Sequence, residues 1–449
     1  MNTLHKAGFQ IVDFFRKTKT LALYNQLISS QWASKEDLLI KQFNGLKDLL
    51  IHASEHVPVY KKIFKESEFD PFRFSDFSDL KKIPIISKDE IRSNFDEFKA
   101  ENFFKYKPRI TQTGGSTGKP LITYKDKISH SYLWANNFRA WNTAGFVPGD
   151  KFIQIASGSL LPNVNSIKRT LYNFFQNSII ITSYHIDNEK LRLITKQINS
   201  SKAKFIYGYS SSLYLISSFC KENNINISNS LSAIFTTSDM LLKSQRKVIE
   251  DVFDTDVYDI YGCPEGGILS FECSQHDGYH LNQESVFVEV ENINTDGFGN
   301  IIATPLYNYA FPLIRYNTGD VGKLTSETCK CGRKLIKIKE LGGRIRDFIK
   351  LKDGRYIHGA FFNHLESLYK SNWIKQYQII QESIDELTLR FSLNSEPIKS
   401  DLESIKSDLK KGLLPDLKIN FDFSGVQYTG GGKFRLINSN VNNQWDIKD

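Results

Sequence analysis

The sequence predicts an α/β protein with a large, multi-layered N-terminal domain and a small, mobile α+β C-terminal domain. Residues 1–100 carry mainly helical patterns, and residues 105–340 alternate β-rich runs with helical runs. The tail from about residue 346 alternates as strands around one amphipathic helix. A chain of 449 residues is also too long for one compact core, so we expect more than one domain, with the boundary between residues 345 and 346.

The composition is that of a folded, mildly basic chain. Hydrophobic residues make up 40% and charged residues 24%, which is typical of a globular protein. The net charge of +8 is spread without a long block of like charges, so no nucleic-acid partner is indicated. No apolar stretch is long enough to span a membrane. Near the N-terminus, Asp13 and Arg16 interrupt the apolar residues where a signal peptide would have its hydrophobic core. The cytoplasm is therefore the expected compartment.

The helical lead-in of residues 1–100 shows apolar residues at helical spacing through 8–15 and 38–53. The first stripe, with Lys17 and Lys19 just beyond it, would also suit a helix lying on a membrane surface. Such stripes are more often core faces. We therefore expect this helix to pack on the body of the protein.

The central region predicts a βαβ arrangement. Strands are expected at 151–156, 179–182, 204–207, 233–236 and 257–260, and helices at 166–175, 189–199 and 242–253. Helices between successive strands favour a mostly parallel sheet. Ligands of such sheets bind at the carboxyl ends of the strands.

The tail is expected to form a ferredoxin-like unit. Strands are predicted at 376–380, 387–393 and 418–423, with an amphipathic helix at 400–413. This unit follows the glycine-rich turn at residues 342–344, which would suit a hinge.

A run rich in glycine and hydroxyl residues at 111–120 is the strongest functional signal. Its backbone N–H groups lie free of bulky side chains, so it can wrap a polyphosphate while Lys119 supplies a mobile positive charge. It is not a Walker loop, because Thr113 and Pro120 stand where that pattern needs Gly and Ser or Thr. A flexible surface loop is the alternative interpretation of an isolated run of this kind.

Four further positions suit nucleotide chemistry. Glu265 follows a predicted strand, where a carboxylate can hold Mg²⁺ beside phosphate oxygens or be a simple turn acid. Asp320 can accept two ribose hydroxyls, although a Gly-Asp turn is also common. Arg344 lies where it could face a phosphate. Lys433 follows three glycines and could swing onto a developing phosphate charge, or be an ordinary surface lysine.

Together and in this order, these motifs resemble the adenylate-forming superfamily, in particular the phenylacetate–CoA ligase branch and its CapK-type relatives. The segments that carry the branch resemblance are 56–62 (HVPVYKK), 83–89 (IPIISKD), 207–213 (YGYSSSL) and 311–316 (FPLIRY). The similarity runs from about residue 45 to Arg435. It implies a two-step reaction in which a carboxylic acid and ATP form acyl-AMP and pyrophosphate, and an acceptor then displaces AMP.

Carried over to this chain, the resemblance implies how a nucleotide would be held. The β- and γ-phosphates would be held by Thr113, Gly114, Gly115, Ser116, Thr117, Gly118 and Lys119. Adenine, ribose and the α-phosphate would be lined by Ser238, Asp239, Tyr261, Gly262, Asp320 and Arg344. Glu265 would position Mg²⁺, Lys433 would stabilise the adenylation transition state, and Asp347 would be the hinge of the C-terminal lid.

The sequence departs from the family pattern in two places. Cys263 and Pro264 replace the small or hydroxylated residues that usually precede the glutamate, which leaves the local phosphate contacts open. Asp239 stands where relatives often have Glu, a milder change that leaves a backbone role intact.

The acid and its acceptor are indicated less sharply. The acid pocket would draw on Trp134, Tyr207, Gly208, Tyr209 and Ser210, which apart from the glycine are aromatic or carry a hydroxyl group. The resemblance favours an aromatic acid with coenzyme A as acceptor. The CapK-type relatives imply instead an amine acceptor or adenylyl transfer in capsule or surface polysaccharide synthesis. A non-catalytic nucleotide-binding module is a further alternative, against which the retained Lys433 argues.

The cysteines suggest a second site. Five cysteines in a chain expected in the cytoplasm are more often metal ligands or plain thiols than disulfides. Cys329 and Cys331 lie on a tight turn, and a tetrahedral structural zinc site would also need Cys273 and one histidine. The resemblance favours His280, with His276 as the alternative. Reduced thiols that happen to lie close together are the other interpretation.

Overall fold

The computed structural model describes residues 3–112, 121–156, 167–182, 188–344, 348–353, 356–358, 362, 365–369, 371–428 and 434–441. Several of the sequence predictions fall on other residues. The glycine-rich run 113–120, Asp347 and Lys433 lie outside the described residues, and so does the side chain of Arg344.

Ten of the described α-helices lie in the large N-terminal domain, and the last two lie in the small C-terminal domain. They are α1 (Thr3–Arg16), α2 (Thr20–Ser30), α3 (Lys35–His56), α4 (Pro58–Glu66), α5 (Lys88–Ser93), α6 (Lys127–Asn142), α7 (Ile167–Gln176), α8 (Asn188–Ser200), α9 (Ser210–Glu222), α10 (Lys243–Phe253), α11 (Glu366–Tyr369) and α12 (Lys399–Gly412). Short 3₁₀ helices lie at Pro71–Arg73, Phe77–Lys82, Phe95–Phe98 and Phe103–Tyr106. The helices predicted from periodicity are all present, with ends shifted by a few residues.

The strands form one large sheet, one small sheet and two hairpins. They are β1 (Arg109–Gln112), β2 (Ile122–Lys125), β3 (Phe152–Ala156), β4 (Ser178–Thr182), β5 (Phe205–Tyr209), β6 (Ala233–Thr237), β7 (Val257–Cys263), β8 (Gly267–Glu272), β9 (Tyr279–Leu281), β10 (Val286–Glu291), β11 (Gly299–Pro305), β12 (Tyr316–Thr325), β13 (Lys337–Arg344), β14 (Phe348–Lys350), β15 (Tyr356–His358), β16 (Ile374–Ser383), β17 (Glu386–Leu393), β18 (Lys418–Asp422) and β19 (Ile437–Ser439). β1 and β2, which flank the glycine-rich run in the sequence, pair antiparallel.

The large sheet has eleven strands in the order β10-β11-β12-β13-β9-β8-β7-β6-β5-β3-β4. β3 to β7 run parallel, as expected from the helices that join them. From β7 to β10 every pairing is antiparallel. The prediction of a mostly parallel sheet therefore holds for one half only. The other half is antiparallel because short turns, rather than crossover helices, join its strands.

The parallel half is buried on both faces, which explains its continuous apolar runs. On one face, Trp141 of α6 is fully buried and stacks on Phe235 of β6 at 5.4 Å between ring centroids. On the other face, α8, α9 and α10 cover residues such as Ile206 and Ile234. The core therefore fixes the strands from both sides and holds their carboxyl ends in place.

The first helix packs on the body only in part. Phe9 is buried and meets the ring of Phe138 edge-on at 5.3 Å. Phe14 and Phe15 on the same helix are 76% and 78% exposed. The expectation that this apolar stripe is a core face is therefore correct for Phe9 and wrong for Phe15.

The small C-terminal domain is a four-stranded sheet in the order β18-β17-β16-β19, with α12 packed against it. β16 and β17 form an antiparallel hairpin, while β18 and β19 pair parallel to its two strands. Its core includes the buried rings of Trp373 and Phe391, whose centroids are 5.1 Å apart. Tyr214 of α9 donates a hydrogen bond to the Lys375 carbonyl at 3.0 Å, which links the two domains.

Candidate active site

The carboxyl ends of β5, β6 and β7 lie at one edge of the large sheet, because these strands run parallel. Ser210 follows β5, Ser238 follows β6, and Glu265 lies in the turn after β7. Open α/β sheets bind their ligands at such an edge. Three of the segments singled out in the sequence are thus brought together by strand direction alone.

The segments after β5 and β6 are tied to each other. Ser211 Oγ donates to Asp239 Oδ2 at 2.5 Å, and Ser210 Oγ donates to the Asp239 carbonyl at 3.1 Å. Ser238 has a positive φ of 72°, a conformation that L residues rarely adopt. Asp239 therefore holds the loop in a fixed shape beside the start of α9. Ser238, next to it, is exposed at the edge.

Tyr261 and Asp320 meet although they lie on distant strands. The Tyr261 hydroxyl donates a hydrogen bond to Asp320 Oδ2 at 2.8 Å. Three strands separate β7 from β12 in the sheet order, so the sheet must bend for this contact to form. Arg344 on β13 lies opposite Asp320 in register. The structure therefore gathers the residues expected around ribose, with the Arg344 side chain outside the described part.

Glu265 is buried rather than an exposed turn acid. Its side chain is 1% exposed, and its Oε1 lies 3.9 Å from the Nζ of Lys88. Lys125 of β2 is also buried; burial lowers the pKa of its ammonium, while the nearby Cys263 and Glu265 act in the opposite direction. Among the described residues, neither Glu265 Oε1 nor the Tyr316 hydroxyl makes a hydrogen bond of good geometry. Two such buried oxygens beside two lysines suit a cation or a phosphate.

Lys88 reaches this site because Arg315 anchors the segment that precedes it. The guanidinium of Arg315 donates to the Ile83 carbonyl at 2.6 Å and to Glu289 and Glu291 on β10 at 3.1 and 2.8 Å. The Ile86 N–H donates to the Arg315 carbonyl at 2.9 Å. Residues 83–86 are thereby fixed against the start of β12. This role of Arg315 is structural and supports the site from behind.

Lys88, Lys125 and Tyr316 belong to this site although their sequence positions did not single them out. Lys88 lies in the segment 83–89 that carries the family resemblance, and Tyr316 opens β12 four residues before Asp320. Lys125 and Thr123 are both buried on the inward face of β2. A fully buried lysine is rare unless it has a partner or a function, so a lysine on the apolar face of a strand is the signal that could have indicated it.

Cys263, which departs from the family pattern, is an uncharged thiol at neutral pH. Burial first, and then the charges of Glu265 and Asp320, raise its pKa to about 12. Its sulfur accepts a hydrogen bond from the Gly266 N–H at 3.1 Å, so it shapes the turn that carries Glu265. Gly262 is required there, because a Cβ would lie 2.5 Å from the Gly267 carbonyl oxygen.

The residues expected to line an acid pocket lie on β5 and α6. Tyr207 is buried against Trp141 at 5.0 Å, and burial raises the pKa of its hydroxyl. Gly208, the next residue, allows β5 to pair closely with β3, since a Cβ would lie 2.8 Å from the Ile155 carbonyl oxygen. Trp134 is half-buried on α6 and packs on Phe138. Tyr209 and Ser210, which complete the set, are buried at the end of β5.

A second cluster joins two loops and one strand of the antiparallel half. The ligand atoms of Cys273, His280, Cys329 and Cys331 all lie within 4.8 Å of one another. The Cys273 and Cys329 sulfurs are 3.7 Å apart, and the Cys331 sulfur lies 3.4 Å from His280 Nε2. Cys273 directly follows β8, His280 lies on β9, and the two remaining cysteines lie between β12 and β13. Three thiols and one imidazole are a donor set that zinc prefers.

His276, the alternative ligand, lies elsewhere. Its Nδ1 is 3.4 Å from Glu272 Oε2 and 3.4 Å from Arg246 Nη1. His280 is fully buried, and burial together with nearby cations lowers its pKa to about 3. It is therefore neutral, which is the form of imidazole that binds a metal. Of the two histidines, only His280 belongs to the cluster.

A separate cleft of about 660 Å³ lies where β16 of the small domain faces α9 and α10. Tyr214, Gln245 and Tyr377 are among its lining residues. Neither Glu265 nor Asp320 lines it. Among the described residues, no helix is both long enough and apolar enough to cross a membrane.

The chain is similar in sequence to several known proteins. Residues 349–440 match the family described as the CapK C-terminal domain. The chain is 25% identical over 414 residues to Protein CapK of Staphylococcus aureus, covering 90% of each chain. It is 26% identical over 348 residues to phenylacetate-coenzyme A ligase of Escherichia coli (strain K12), covering 71% of this chain and 74% of the ligase.

Among solved structures, 2-hydroxyisobutyryl-CoA ligase in complex with 2-HIB-AMP superposes with a TM-score of 0.72 at 18% identity. The match covers 90% of this chain and 89% of that one. At this identity the likeness establishes the fold, a large sheet domain followed by a small C-terminal domain.

Proposed function

Since this chain is an adenylate-forming, CoA-ligase-like protein, we propose that it activates a carboxylic acid with ATP and passes the acyl group to coenzyme A. The products of the first step are acyl-AMP and pyrophosphate, and the second step releases AMP. The single observation that supports this most is the hydrogen-bonded pair of Tyr261 and Asp320 beside the buried carboxylate of Glu265. It supplies partners for ribose and for the phosphates at one sheet edge.

In this proposal the nucleotide lies across the carboxyl ends of β5 to β7. The carboxylate of Asp320 accepts the ribose hydroxyls, and the hydrogen bond from Tyr261 holds it in position. The loop at Ser238 and Asp239 lines the base. We assign the phosphate contacts to the run 113–119 and to Arg344, on the basis of their motifs and their order in the chain.

Glu265 fits a magnesium ion, because its buried Oε1 makes no hydrogen bond of good geometry among the described residues. A bound Mg²⁺ would neutralise phosphate charge there. Lys88 and Lys125 add positive charge around the same carboxylate, which favours the approach of a polyphosphate.

In the adenylation step, a carboxylate oxygen of the acid forms a bond to the α-phosphorus of ATP while the bond to pyrophosphate breaks. Charge develops on the phosphate oxygens, and we assign its stabilisation to the ammonium of Lys433. Asp347 is the proposed hinge that lets the small domain carry Lys433 to the site.

Coenzyme A is the proposed acceptor, because the phenylacetate-coenzyme A ligase named above covers most of this chain. An aromatic acid is the proposed substrate on the same basis. A CapK-like route is the second candidate, with an amine acceptor or adenylyl transfer in capsule or surface polysaccharide synthesis. The match of residues 349–440 to the CapK C-terminal domain favours it.

Cys273, His280, Cys329 and Cys331 are proposed to hold a structural Zn²⁺. Four protein donors would close its coordination, so the ion would tie loops together and take no part in the reaction.

Lys433→Ala tests the adenylation step. Acyl-AMP formation measured in a single turnover should fall about 10²–10³-fold, while ATP affinity measured by calorimetry stays close to that of the wild type. Lys411→Ala, which removes an exposed lysine at the end of α12, is the matched control and should leave both unchanged. An unchanged rate in Lys433→Ala would remove this lysine from the mechanism.

A further inference from the structure

The helix α1 carries an apolar face that nothing in the described structure covers. Ile11, Phe14 and Phe15 are 40%, 76% and 78% exposed, and their spacing puts them on one side of the helix. Phe9, on the opposite side of the helix, is buried, and so is Gly8, which lies beside the exposed face. Exposed phenyl rings in this number are unusual on a surface that faces water alone.

The neighbouring helix α7 adds a further exposed ring. Gly8 packs so closely on Phe175 that a Cβ at this position would lie 3.0 Å from its carbonyl oxygen. Phe174, beside it in the chain, is 60% exposed. We call these four side chains the aromatic face: Ile11, Phe14, Phe15 and Phe174.

Cations surround the end of α1. We call them the basic rim: Arg16, Lys17, Lys107, Arg109 and Lys127. Burial, and then the charges of three other rim members, lower the pKa of the Lys127 ammonium. Burial and the charges of Arg16 and Arg109 contribute to lowering the pKa of His130 to about 4. The geometry agrees, because the Lys19 N–H donates a hydrogen bond to Ser131 Oγ at 3.1 Å, which holds the corner after α1 against the first turns of α6, where Lys127 lies. Arg109 lies opposite Lys125 in the β1–β2 pair, two residues before Lys127.

One acidic group close by, Asp13, offsets part of this charge. Asp13 accepts hydrogen bonds from the Thr18 hydroxyl at 2.5 Å and from the Leu21 N–H at 2.9 Å. Its carboxylate is thus used to build the corner between α1 and α2. The segment that carries Lys107 and Arg109 also exposes apolar groups, since Phe104 and Ile110 are 87% and 65% exposed.

We propose that the aromatic face and the basic rim together dock the protein on the surface of an anionic lipid bilayer. Phenyl rings inserted at the level of the lipid headgroups would bury the exposed apolar area, and the rim would pair with lipid phosphates. A second copy of the chain fits this surface less well, because two basic rims would repel each other. The helix lies on the membrane and does not cross it. This inference does not depend on the proposed reaction.

Sedimentation with lipid vesicles tests the proposal. Wild-type protein should sediment with vesicles of equal parts phosphatidylcholine and phosphatidylglycerol, and weakly with phosphatidylcholine alone. The affinity of the double variant Phe14→Ser, Phe15→Ser for the anionic vesicles should be at least about tenfold lower than that of the wild type. Lys17→Glu with Lys127→Glu should also weaken binding and flatten its dependence on salt.

Matched controls remove equivalent groups elsewhere. Phe72→Ser removes a ring that is 59% exposed, and Lys399→Glu with Lys411→Glu reverses two exposed charges on α12; both should bind like the wild type. All variants change exposed or half-buried side chains, so far-ultraviolet circular dichroism should confirm an unchanged fold. Equal binding of the phenylalanine double variant and the wild type would overturn the proposal. It would also be overturned if wild-type protein ignored anionic vesicles, or formed a dimer that only this double variant abolished.

Discussion

The carboxylate of Glu265 shares a buried site with two lysines, and this balance of charge determines what the site can bind. Lys88 lies at 3.9 Å, beyond hydrogen-bond distance, and Lys125 is buried nearby. Since Asp320 also lies nearby, two carboxylates face two lysines, so the site carries little net charge and would hold a metal ion more firmly once a polyphosphate is present. Metal and nucleotide would therefore be expected to bind together.

Asp320 provides the sharpest test at the scale of single residues. Asp320→Ala should weaken ATP binding about 10–100-fold, because two ribose hydroxyls would lose a charged acceptor. Tyr261→Phe keeps the carboxylate and removes only the hydroxyl that orients it, so its effect should be smaller, about tenfold or less. Isothermal calorimetry with ATP measures both.

The order of the two effects is what matters. If Tyr261→Phe weakened ATP binding more than Asp320→Ala, the tyrosine would be the direct contact and the aspartate its support. Equal affinity of wild type and Asp320→Ala would remove Asp320 from the nucleotide site.

Single residues also show what the sequence could predict about the site. Tyr261 and Glu265 were identifiable because they directly follow a predicted apolar strand, and Asp320 was identifiable from its Gly-Asp motif and its order in the chain. Lys88 was not, since its nearness to Glu265 depends on Arg315 fixing residues 83–86 across a large sequence separation. Lys125 was not, since it lies on β2, a strand that was not predicted. His280 was preferred over His276 by resemblance, and the geometry places His280 in the cysteine cluster.

At the scale of elements, the pairing of β5 with β3 depends on a residue without a side chain. Gly208→Ala should destabilise the fold by about 1–3 kcal/mol, because its Cβ would meet the Ile155 carbonyl oxygen at 2.8 Å and backbone must move. Gly45→Ala on α3 is the control, since its Cβ would contact only side-chain ends at 3.3 Å. Urea unfolding compares the two, and equal stabilities would show that β5 can shift at no cost.

The cysteine cluster is the second prediction at this scale. Wild-type protein should contain one zinc ion per chain, and Cys331→Ser should contain much less and melt about 5 °C lower or more. Cys220→Ser changes a buried thiol on α9 outside the cluster and should keep its zinc. Metal content by mass spectrometry and thermal unfolding measure these effects. A wild-type protein free of zinc after growth with added zinc would contradict the site.

Some secondary-structure elements could be predicted from the sequence pattern and others could not. The strands of the parallel half were predictable because they are buried on both faces and alternate with helices. The direction of β8 to β13 was not, since it depends on turns whose geometry has no clear sequence signal. The exposure of Phe14 and Phe15 was also hidden, because helical spacing marks an apolar face without saying what covers it.

At the scale of the whole molecule, the described parts of the two domains meet through apolar and polar contacts. Leu242, which precedes α10, is buried in the core of the small domain, and Met240 packs against that core. The Tyr214 hydrogen bond and the ion pair between Lys375 and Glu222, at 2.8 Å, are exposed or half-buried. Polar contacts of this kind contribute little stability, so they do not by themselves fix the position of the small domain. The change of sequence pattern near residue 346 predicts a large and a small domain. It does not predict which residues of the two domains contact each other.

The central claim is that the protein forms an acyl-adenylate, and pyrophosphate release tests it most directly. Purified protein would be given ATP, Mg²⁺ and each of a panel of aryl, short and long aliphatic, amino and uronic acids, with and without coenzyme A. We expect pyrophosphate release with a subset of acids, aryl acids foremost, and faster turnover when coenzyme A is present. Release with no acid of the panel, together with no ATP binding by calorimetry, would contradict the account.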